Sequence, residues 1–327
     1  MKAQYTFLLF FLLFIMSCGK KQDEDLNYIH LKQVATSLSN DLSSISKDVV
    51  NAAQIIHHKI DFLREVNAEI VNEDETRESN TIYLEYAKDS VATFLPITVE
   101  LDNSLQKIIA NSKPIDTLIV KICKNNSLVA QSYFLDTNSF LRIFPYINVN
   151  KQYLPNVKLN QFIAFQSVFN KPFNENAYWL NEPFADPSGR GWIISCTSPI
   201  YYQDQFFGII SADIMLKSVC EKAFSSPYEM WIIINLRGEV LGCTKMAATF
   251  FNIPTLKEYS YFKPIDRDVF MTGHPSLLNH QKKEIQKAIS SVIEGKNKAE
   301  FIYNSRKTTI YSLKIKETEW LLLKIIN

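Results

Sequence analysis

The stretch 178-YWLNEPFADPSGRGWIISC-196 places large aromatic residues and a carboxylate on both sides of a tight Pro-Ser-Gly-Arg-Gly turn. A pocket for a small polar molecule needs aromatic walls that exclude water and a few polar groups that fix orientation. Trp179, Phe184, Asp186 and Trp192 are therefore candidate ligand contacts. The competing interpretation is a well-filled core in which Asp186 only accepts hydrogen bonds from the backbone of the turn.

Two further candidates lie on the β-rich runs 192-WIISCTSPIYY-202 and 206-FFGIISADIML-216, which flank a polar turn and predict a hairpin. Asp213 closes an otherwise apolar run, where a carboxylate is costly unless it has a partner. An amine of a ligand or a backbone N–H could be the partner of this carboxylate. Ser195 lies on the preceding strand, on the face opposite Trp192.

The aromatic-rich region 140–179 supplies possible pocket walls. Tyr146, which follows Pro145, and Phe165 are the candidates there. Arg190 is assigned only to the shape of the turn.

The N-terminal sequence predicts that the protein is exported from the cytoplasm. The apolar run Phe7–Met16 is too short to span a bilayer and has the length of a secretory signal core. It leads into 15-IMSC-18, which resembles the lipobox of bacterial lipoproteins. The resemblance implies a signal peptide at 1–17, a lipid on Cys18 and a charged tether at 18–26. Several acyl chains together give stable membrane attachment. The alternative is an ordinary signal peptide with a chance cysteine.

Composition excludes several classes of protein. The formal net charge is +1, so nothing indicates nucleic acid as a partner. The chain has eight glycines and contains no GxGxxG, GxxxxGK[ST], CxxC or G-x-S-x-G motif. We therefore predict no cofactor, no metal site and no enzymatic activity. Four further cysteines are either buried free thiols or disulfides, and both possibilities stay open: Cys123, Cys196, Cys220 and Cys243.

Hydrophobic periodicity predicts the order of the elements. Apolar residues over 31–63 recur about every 3.6 residues, which predicts a long amphipathic helix bounded at 27–70. An acidic polar loop follows at 72–80. The runs 116–123 and 128–134 are predicted as strands around a short turn, and further hairpins and helices follow.

The motif region resembles the double Cache (dCache) domains, which are PAS-like extracytoplasmic ligand-binding modules of bacterial chemoreceptors and sensor kinases. The matching residues are Trp179, 182-EPFADP-187, Gly189, Trp192, Ser195, 199-PIY-201, 206-FFGIISADIML-216 and 320-WLL-322. The resemblance covers essentially the whole mature chain. It implies an α+β fold with a long N-terminal helix and two PAS-like antiparallel-sheet domains, membrane-distal at 71–220 and membrane-proximal at 221–327. It also implies homodimers through the long helix.

The resemblance bears on the ligand as well. In amino-acid-binding members two carboxylates hold the ligand's amino group, and these fall here on Asp186 and Asp213. The Arg-x-Trp-Tyr element that holds the ligand's carboxylate is missing from 160–173, and Phe184 replaces a tyrosine of the motif. Without a guanidinium fork for a carboxylate, the ligand implied is an amine or another small polar molecule, or the pocket has no ligand.

These observations lead us to expect a lipid-anchored extracytoplasmic sensing or binding module in the cell envelope, with its pocket in the distal domain. No kinase, methyl-accepting or cyclase segment accompanies the two domains, so any signal is expected to pass to a separate protein. The alternatives are a structural lipoprotein with a vestigial pocket and a substrate-binding lipoprotein of a transporter. The transporter alternative predicts two α/β lobes, which the hairpin-rich pattern argues against.

Overall fold

A computed structural model of the chain describes residues 2–65, 77–78, 81–82, 91–169, 171, 176–186, 189–224, 226–254, 267–270 and 274–327. Residues 2–25, 65, 77–78, 81–82 and 150 are described by their backbone alone. Most of the predicted loop at 72–80 lies outside the described residues, as do the side chains of the predicted signal peptide and of Cys18. In the described part of the chain, no helix is both long and apolar enough to cross a membrane.

One long helix and several short ones form the helical part of the described chain. Their bounds are α1 (Lys2–Glu65), α2 (Asn103–Asn111), α3 (Lys113–Asn125), α4 (Val149–Gln152), α5 (Ile163–Gln166), α6 (Leu216–Ala223), α7 (Lys245–Phe250) and α8 (Lys283–Ile293). Single 3-10 turns lie at Leu159–Gln161 and Leu277–Asn279. The long N-terminal helix is confirmed, and a stripe along α1 from Leu31 to Leu63 is buried as its periodicity predicts.

All strand pairs of the described chain are antiparallel. The strands are β1 (Arg77–Glu78), β2 (Thr81–Ile82), β3 (Ala92–Phe94), β4 (Val129–Asp136), β5 (Leu141–Phe144), β6 (Tyr178–Trp179), β7 (Phe184–Ala185), β8 (Trp192–Tyr202), β9 (Gln205–Met215), β10 (Met230–Ile234), β11 (Val240–Cys243), β12 (Lys298–Tyr303), β13 (Arg306–Lys314) and β14 (Leu321–Ile326). A seven-stranded sheet has the order β3-β5-β4-β9-β8-β6, with β7 also paired to β8. A five-stranded sheet has the order β11-β10-β14-β13-β12. The predicted α+β class is confirmed.

The predicted strand at 116–123 is wrong, because these residues belong to α3. Ile115, Ile119 and Ile122 are buried at intervals of four and three residues, which is the spacing of one helix face. Pro114 stands in the first turn, where its missing N–H leaves no helical hydrogen bond unmade. The β-branched residues favour a strand locally, and the packing of this face against β4 decided otherwise.

The chain forms two compact units. The large unit consists of Asn40–Glu221 and Leu256–Gly273 and holds the seven-stranded sheet. The small unit consists of Met1–Ser39, Lys222–Thr255 and His274–Asn327 and holds the five-stranded sheet. The second half of the chain therefore contributes a stretch of its sequence to the large unit.

The two faces of the seven-stranded sheet differ in what covers them. On one face α3 is held by Arg142, whose guanidinium donates to both carboxylate oxygens of Asp116 at 2.5 and 2.6 Å. On the other face, buried apolar residues of β3, β4, β5 and β9 pack against the chain between β5 and β6. This second face, which we call the core face, carries the candidate site.

The small unit is held by a conventional core and one buried charge. Trp231 and Trp320 are fully buried in it. The Lys324 side chain is 4% exposed. Its ammonium group lies 2.9 Å from a carboxylate oxygen of Glu229 and 2.9 Å from His30 Nδ1, and sits over the ring of Trp231. Because His30 lies on α1, these contacts attach the N-terminal half of the long helix to the five-stranded sheet.

No disulfide joins the four described cysteines to one another: Cys123, Cys196, Cys220 and Cys243. Of the two possibilities that the sequence left open, the structure therefore does not have disulfides among these four. Burial raises the pKa of the Cys243 thiol to about 11, which keeps it protonated.

Candidate ligand-binding cavity

A small cavity of about 40 Å³ lies on the core face of the large unit. Its described lining residues are Gln131, Tyr133, Leu135, Leu141, Ile143, Tyr153, Leu159, Phe162, Ala164, Phe165, Phe184 and Asp213. Most of this wall is apolar or aromatic. Asp213 is the acid among these lining residues, and none of them is a lysine, arginine or histidine.

Strand register brings the polar residues of the cavity together. Asp213 on β9 is paired with Ser195 on β8 and with Gln131 on β4. Directly paired residues project from the same face of a sheet, so the three side chains meet. The Gln131 amide donates to Asp213 Oδ2 at 2.6 Å, and the Ser195 hydroxyl donates to Oδ1.

The Asp213 carboxyl is electrostatically unusual. Burial raises its pKa from the ordinary 3.8 to about 7. The hydrogen bonds from Gln131 and Ser195 and the charge of Arg190 act in the opposite direction, while the nearby carboxylate of Asp186 raises the pKa further. Near neutral pH both protonation states are populated, and a cation placed in the cavity would favour the ionised form.

Asp186 is fully buried but lies outside the described cavity wall. Its carboxylate accepts from Gln131 at 3.2 Å and from the backbone and guanidinium of Arg190 at 3.2 and 3.4 Å. Its backbone N–H donates to the Gly191 carbonyl at 2.7 Å, and its carbonyl accepts from Gly189 at 2.9 Å. Asp186 therefore closes the turn and is linked to the cavity wall through Gln131.

Gln131 and Arg190 belong to this network, and sequence reasoning missed both. The Gln131 amide nitrogen bridges Asp186 and Asp213, and its oxygen accepts from the Arg190 guanidinium. The sequence did contain a signal for Gln131, because a glutamine inside the apolar run 128–134 needs buried partners. It contained no signal that pairs this run with β9.

The two tryptophans of the motif lie on the face opposite the core face. Trp179 is paired with Cys196, whose sulfur lies 3.8 Å from the Ser46 hydroxyl of α1. The Trp179 indole N–H donates to the same hydroxyl at 2.8 Å. Trp192 lies four residues before Cys196 on β8 and shares its face. The structure therefore does not bring Trp179 or Trp192 to the described cavity wall.

Of the other aromatic residues predicted to line the pocket, two line the described cavity and one does not. Phe184 is paired with Ile193, which shares the face of Ser195, and lines the cavity. Phe165 lies in α5, is 2% exposed and also lines it. Tyr146 is partly buried and packs against the surrounding apolar core without being among the described lining residues.

The predicted contacts thus converge only in part, and the cavity is narrow. Phe165, Phe184 and Asp213 line it, while Ser195 and Asp186 act through hydrogen bonds to lining residues. A volume of about 40 Å³ holds about one water molecule, whereas ligand pockets measure about 300–1,000 Å³. A metabolite therefore fits only if the wall moves.

A larger groove of about 230 Å³ lies between α1 and α3 of the large unit. Its described lining is apolar apart from Lys59 and Thr117, which are both exposed. None of these lining residues is a buried polar group that would orient a polar ligand. We therefore place the candidate site at the smaller cavity.

Comparison with known proteins agrees with this architecture. No family model and no curated protein sequence matches the chain. Among solved structures, an extracellular ligand-binding receptor from Desulfohalobium retbaense has a TM-score of 0.50 at 10% identity, covering 91% of this chain and 39% of that chain. The ligand-binding domain of the Pseudomonas aeruginosa amino acid chemoreceptor PctB, in complex with L-Gln, has a TM-score of 0.51 at 11% identity, covering 92% and 90%.

A likeness at this level of identity shows the fold. The chain has the two-domain α+β fold of the extracellular ligand-binding domains of bacterial chemoreceptors, and the double Cache architecture implied by its motifs is confirmed. The chain spans about two fifths, 39%, of the length of the Desulfohalobium receptor.

Proposed function

We propose that the chain is an extracytoplasmic sensing module that binds a small amine-bearing or other small polar molecule in the cavity of the large unit. Asp213 carries the proposal, as a carboxyl that is 2% exposed in a wall that is otherwise apolar or aromatic apart from Gln131. Its hydrogen bonds come from neutral groups, and no cationic side chain of the described residues contacts it. A ligand ammonium group would supply the opposite charge that burial makes valuable.

The lining favours an amine over an α-amino acid. PctB is described in complex with L-Gln, a ligand with both an ammonium and a carboxylate group. In this chain Asp213 can meet the ammonium group, whereas the described wall offers no cation for the carboxylate. The guanidinium of Arg190 is engaged with Asp186 and Gln131 behind the wall. The remaining wall suits an apolar tail.

The cellular arrangement belongs to the same proposal. The lipobox-like sequence supports attachment through a lipid on Cys18, on the outer side of a membrane. The signal of a bound ligand passes to a separate protein, with the chain alone or as a homodimer through α1. Replacing Cys18 by serine should move the protein from the membrane fraction to the soluble fraction. Unchanged membrane attachment of Cys18→Ser would remove the lipid from the proposal.

The ligand site is tested by thermal unfolding of the full chain in detergent against a panel of amines, amino acids and neutral polar metabolites. A ligand that binds the folded state raises the unfolding temperature. We expect the response among amines and expect Asp213→Asn to abolish it. A response that survives Asp213→Asn would place the site elsewhere. A panel without any response would favour the structural lipoprotein with a vestigial pocket.

Asp136 offers a matched control for Asp213. It is 1% exposed, and burial raises its pKa to about 7 as well. Its carboxylate accepts from the backbone N–H groups of Asn138 and Phe140 in the turn after β4, outside the described cavity wall. Asp136→Asn should therefore change stability and leave the amine response intact.

A further inference from the structure

The segment 267–270, which we call the strap, lies at the edge of the cavity. In sequence it falls between α7 and α8, which are elements of the small unit, yet it belongs to the large unit. The Val269 carbonyl accepts from the Ala185 N–H at 2.8 Å, and Phe270 forms a β-bridge with Phe184. One side of the strap is therefore attached to the strand that supplies Phe184 to the cavity wall.

The strap is also attached to the opposite wall. The Asp268 carboxylate accepts from the Ile163 N–H at 2.6 Å through Oδ2. Ile163 begins α5, and the preceding residue, Phe162, makes no side-chain cap of its own. Asp268 therefore supplies the acceptor that the first turn of α5 otherwise lacks. Phe162 and Phe165, on either side of this hydrogen bond, line the cavity.

The second carboxylate oxygen of Asp268 has no partner of its own. Oδ1 is buried and accepts no hydrogen bond from the described residues. A buried polar atom without a hydrogen-bond partner lowers the stability of the folded state. Burying Oδ1 of Asp268 therefore destabilises the large unit. The stabilising interaction of the Asp268 carboxylate is the hydrogen bond that its Oδ2 accepts from α5.

We propose that the strap holds the two walls of the cavity together, and that Asp268 is the positioning residue that keeps α5 in its closed place. The walls at Phe184 and at Phe165 must separate before a metabolite fits a cavity of about 40 Å³. The strap contacts both, so it opposes that separation. As far as a ligand is concerned, this inference rests on the proposed function.

The test needs no ligand. In the full chain labelled with 13C-aspartate, the Asp213 carboxyl signal, identified by its loss in Asp213→Asn, reports whether water enters the cavity. Hydrogen exchange of the α5 amides reports whether that wall is held. In Asp268→Ala we expect exchange of these amides to accelerate about tenfold or more. We expect the Asp213 titration midpoint to fall by about one unit or more, because hydration removes the leading cause of its elevation.

Two comparison variants separate positioning from general destabilisation. Asp268→Asn keeps an oxygen acceptor and should restore both readouts close to those of the wild type. Asp116→Ala breaks an ion pair on the opposite face of the sheet and should destabilise the large unit without moving either readout. An unchanged Asp213 midpoint in Asp268→Ala, or an equal shift in Asp116→Ala, would overturn the inference. A panel in which no amine, amino acid or neutral polar metabolite binds would refute the proposed function and leave these readouts unaffected.

Discussion

Replacing Asp213 by asparagine should flatten the pH dependence of stability. The substitution keeps the size of the side chain and removes its titration. Its amide can accept from Gln131 and donate to the Ser195 oxygen, so the hydrogen bonds of the wild type have counterparts. The difference between the two proteins therefore isolates the free energy of burying one carboxylate.

The magnitude follows from the folded and unfolded pKa values of Asp213. The ordinary value is 3.8 and burial raises the folded value to about 7. Between these values the folded protein keeps a proton that the unfolded chain has lost, so the free energy of unfolding falls as pH rises. The slope is about 1.4 kcal/mol per pH unit, and it vanishes above the folded pKa. From pH 5 to pH 8 the wild type should lose about 2–3 kcal/mol that Asp213→Asn does not lose.

Urea unfolding at pH 5, 6, 7 and 8 measures this difference, with the fluorescence of Trp179 and Trp192 reporting on the large unit. Asp136 titrates in the same range, but it is present in both proteins and its contribution cancels. Asp204→Asn, in an exposed turn, serves as a control and should follow the wild type at every pH. A gap between wild type and Asp213→Asn that stays constant from pH 5 to pH 8 would refute the burial argument.

Three further predictions concern the framework around the cavity. Gly208→Ala should destabilise the large unit by about 3 kcal/mol in thermal unfolding, because the new Cβ would lie 2.5 Å from a backbone carbonyl oxygen of β4. Asp116→Ala leaves the buried Arg142 guanidinium without its carboxylate, and we expect a loss of about 3 kcal/mol in urea unfolding with any amine response retained. Trp179→Phe removes the hydrogen bond to Ser46, and should cost about 1 kcal/mol without changing ligand affinity measured by calorimetry. Weakened binding in Trp179→Phe would support the ligand role that the sequence suggested.

Hydrophobic periodicity along the sequence was sufficient to predict the secondary structure where one face of a helix or strand is buried and the other is exposed. The stripe along α1 repeats with the helical period and is buried from Leu31 to Leu63. The hairpin of β8 and β9 alternates around a polar turn and forms with nearly the predicted bounds. In both cases neighbours in sequence carry the information, so a single chain suffices.

The same reasoning failed at α3 because two local signals conflicted. The run from Asp116 to Cys123 is rich in β-branched residues, which favour a strand, while its isoleucines also follow the helical period. The helix gained the burial of Ile115, Ile119 and Ile122 against the sheet. Only packing against the neighbouring sheet decided between the helical and the strand conformation.

At the candidate site the alternation along β8 was a better guide than residue type. Alternation already placed Ser195 and Trp192 on opposite faces, yet both were candidates because aromatic residues are common in pockets. The structure keeps Ser195 beside Asp213 and places Trp192 on the helix-covered face. The alternation of side chains along the strand therefore predicted which residues lie near the cavity better than the residue types did.

The sequence by itself determined the elements and the kinds of residue available to them, including an acid at position 213 at the end of an apolar strand. The tertiary structure alone decided which residues meet. Gln131 reaches Asp213 because β4 pairs with β9 across 82 residues, and Asp268 reaches Ile163 across 105. Such contacts form because distant segments bury a shared apolar face, and no local pattern records which segments those are.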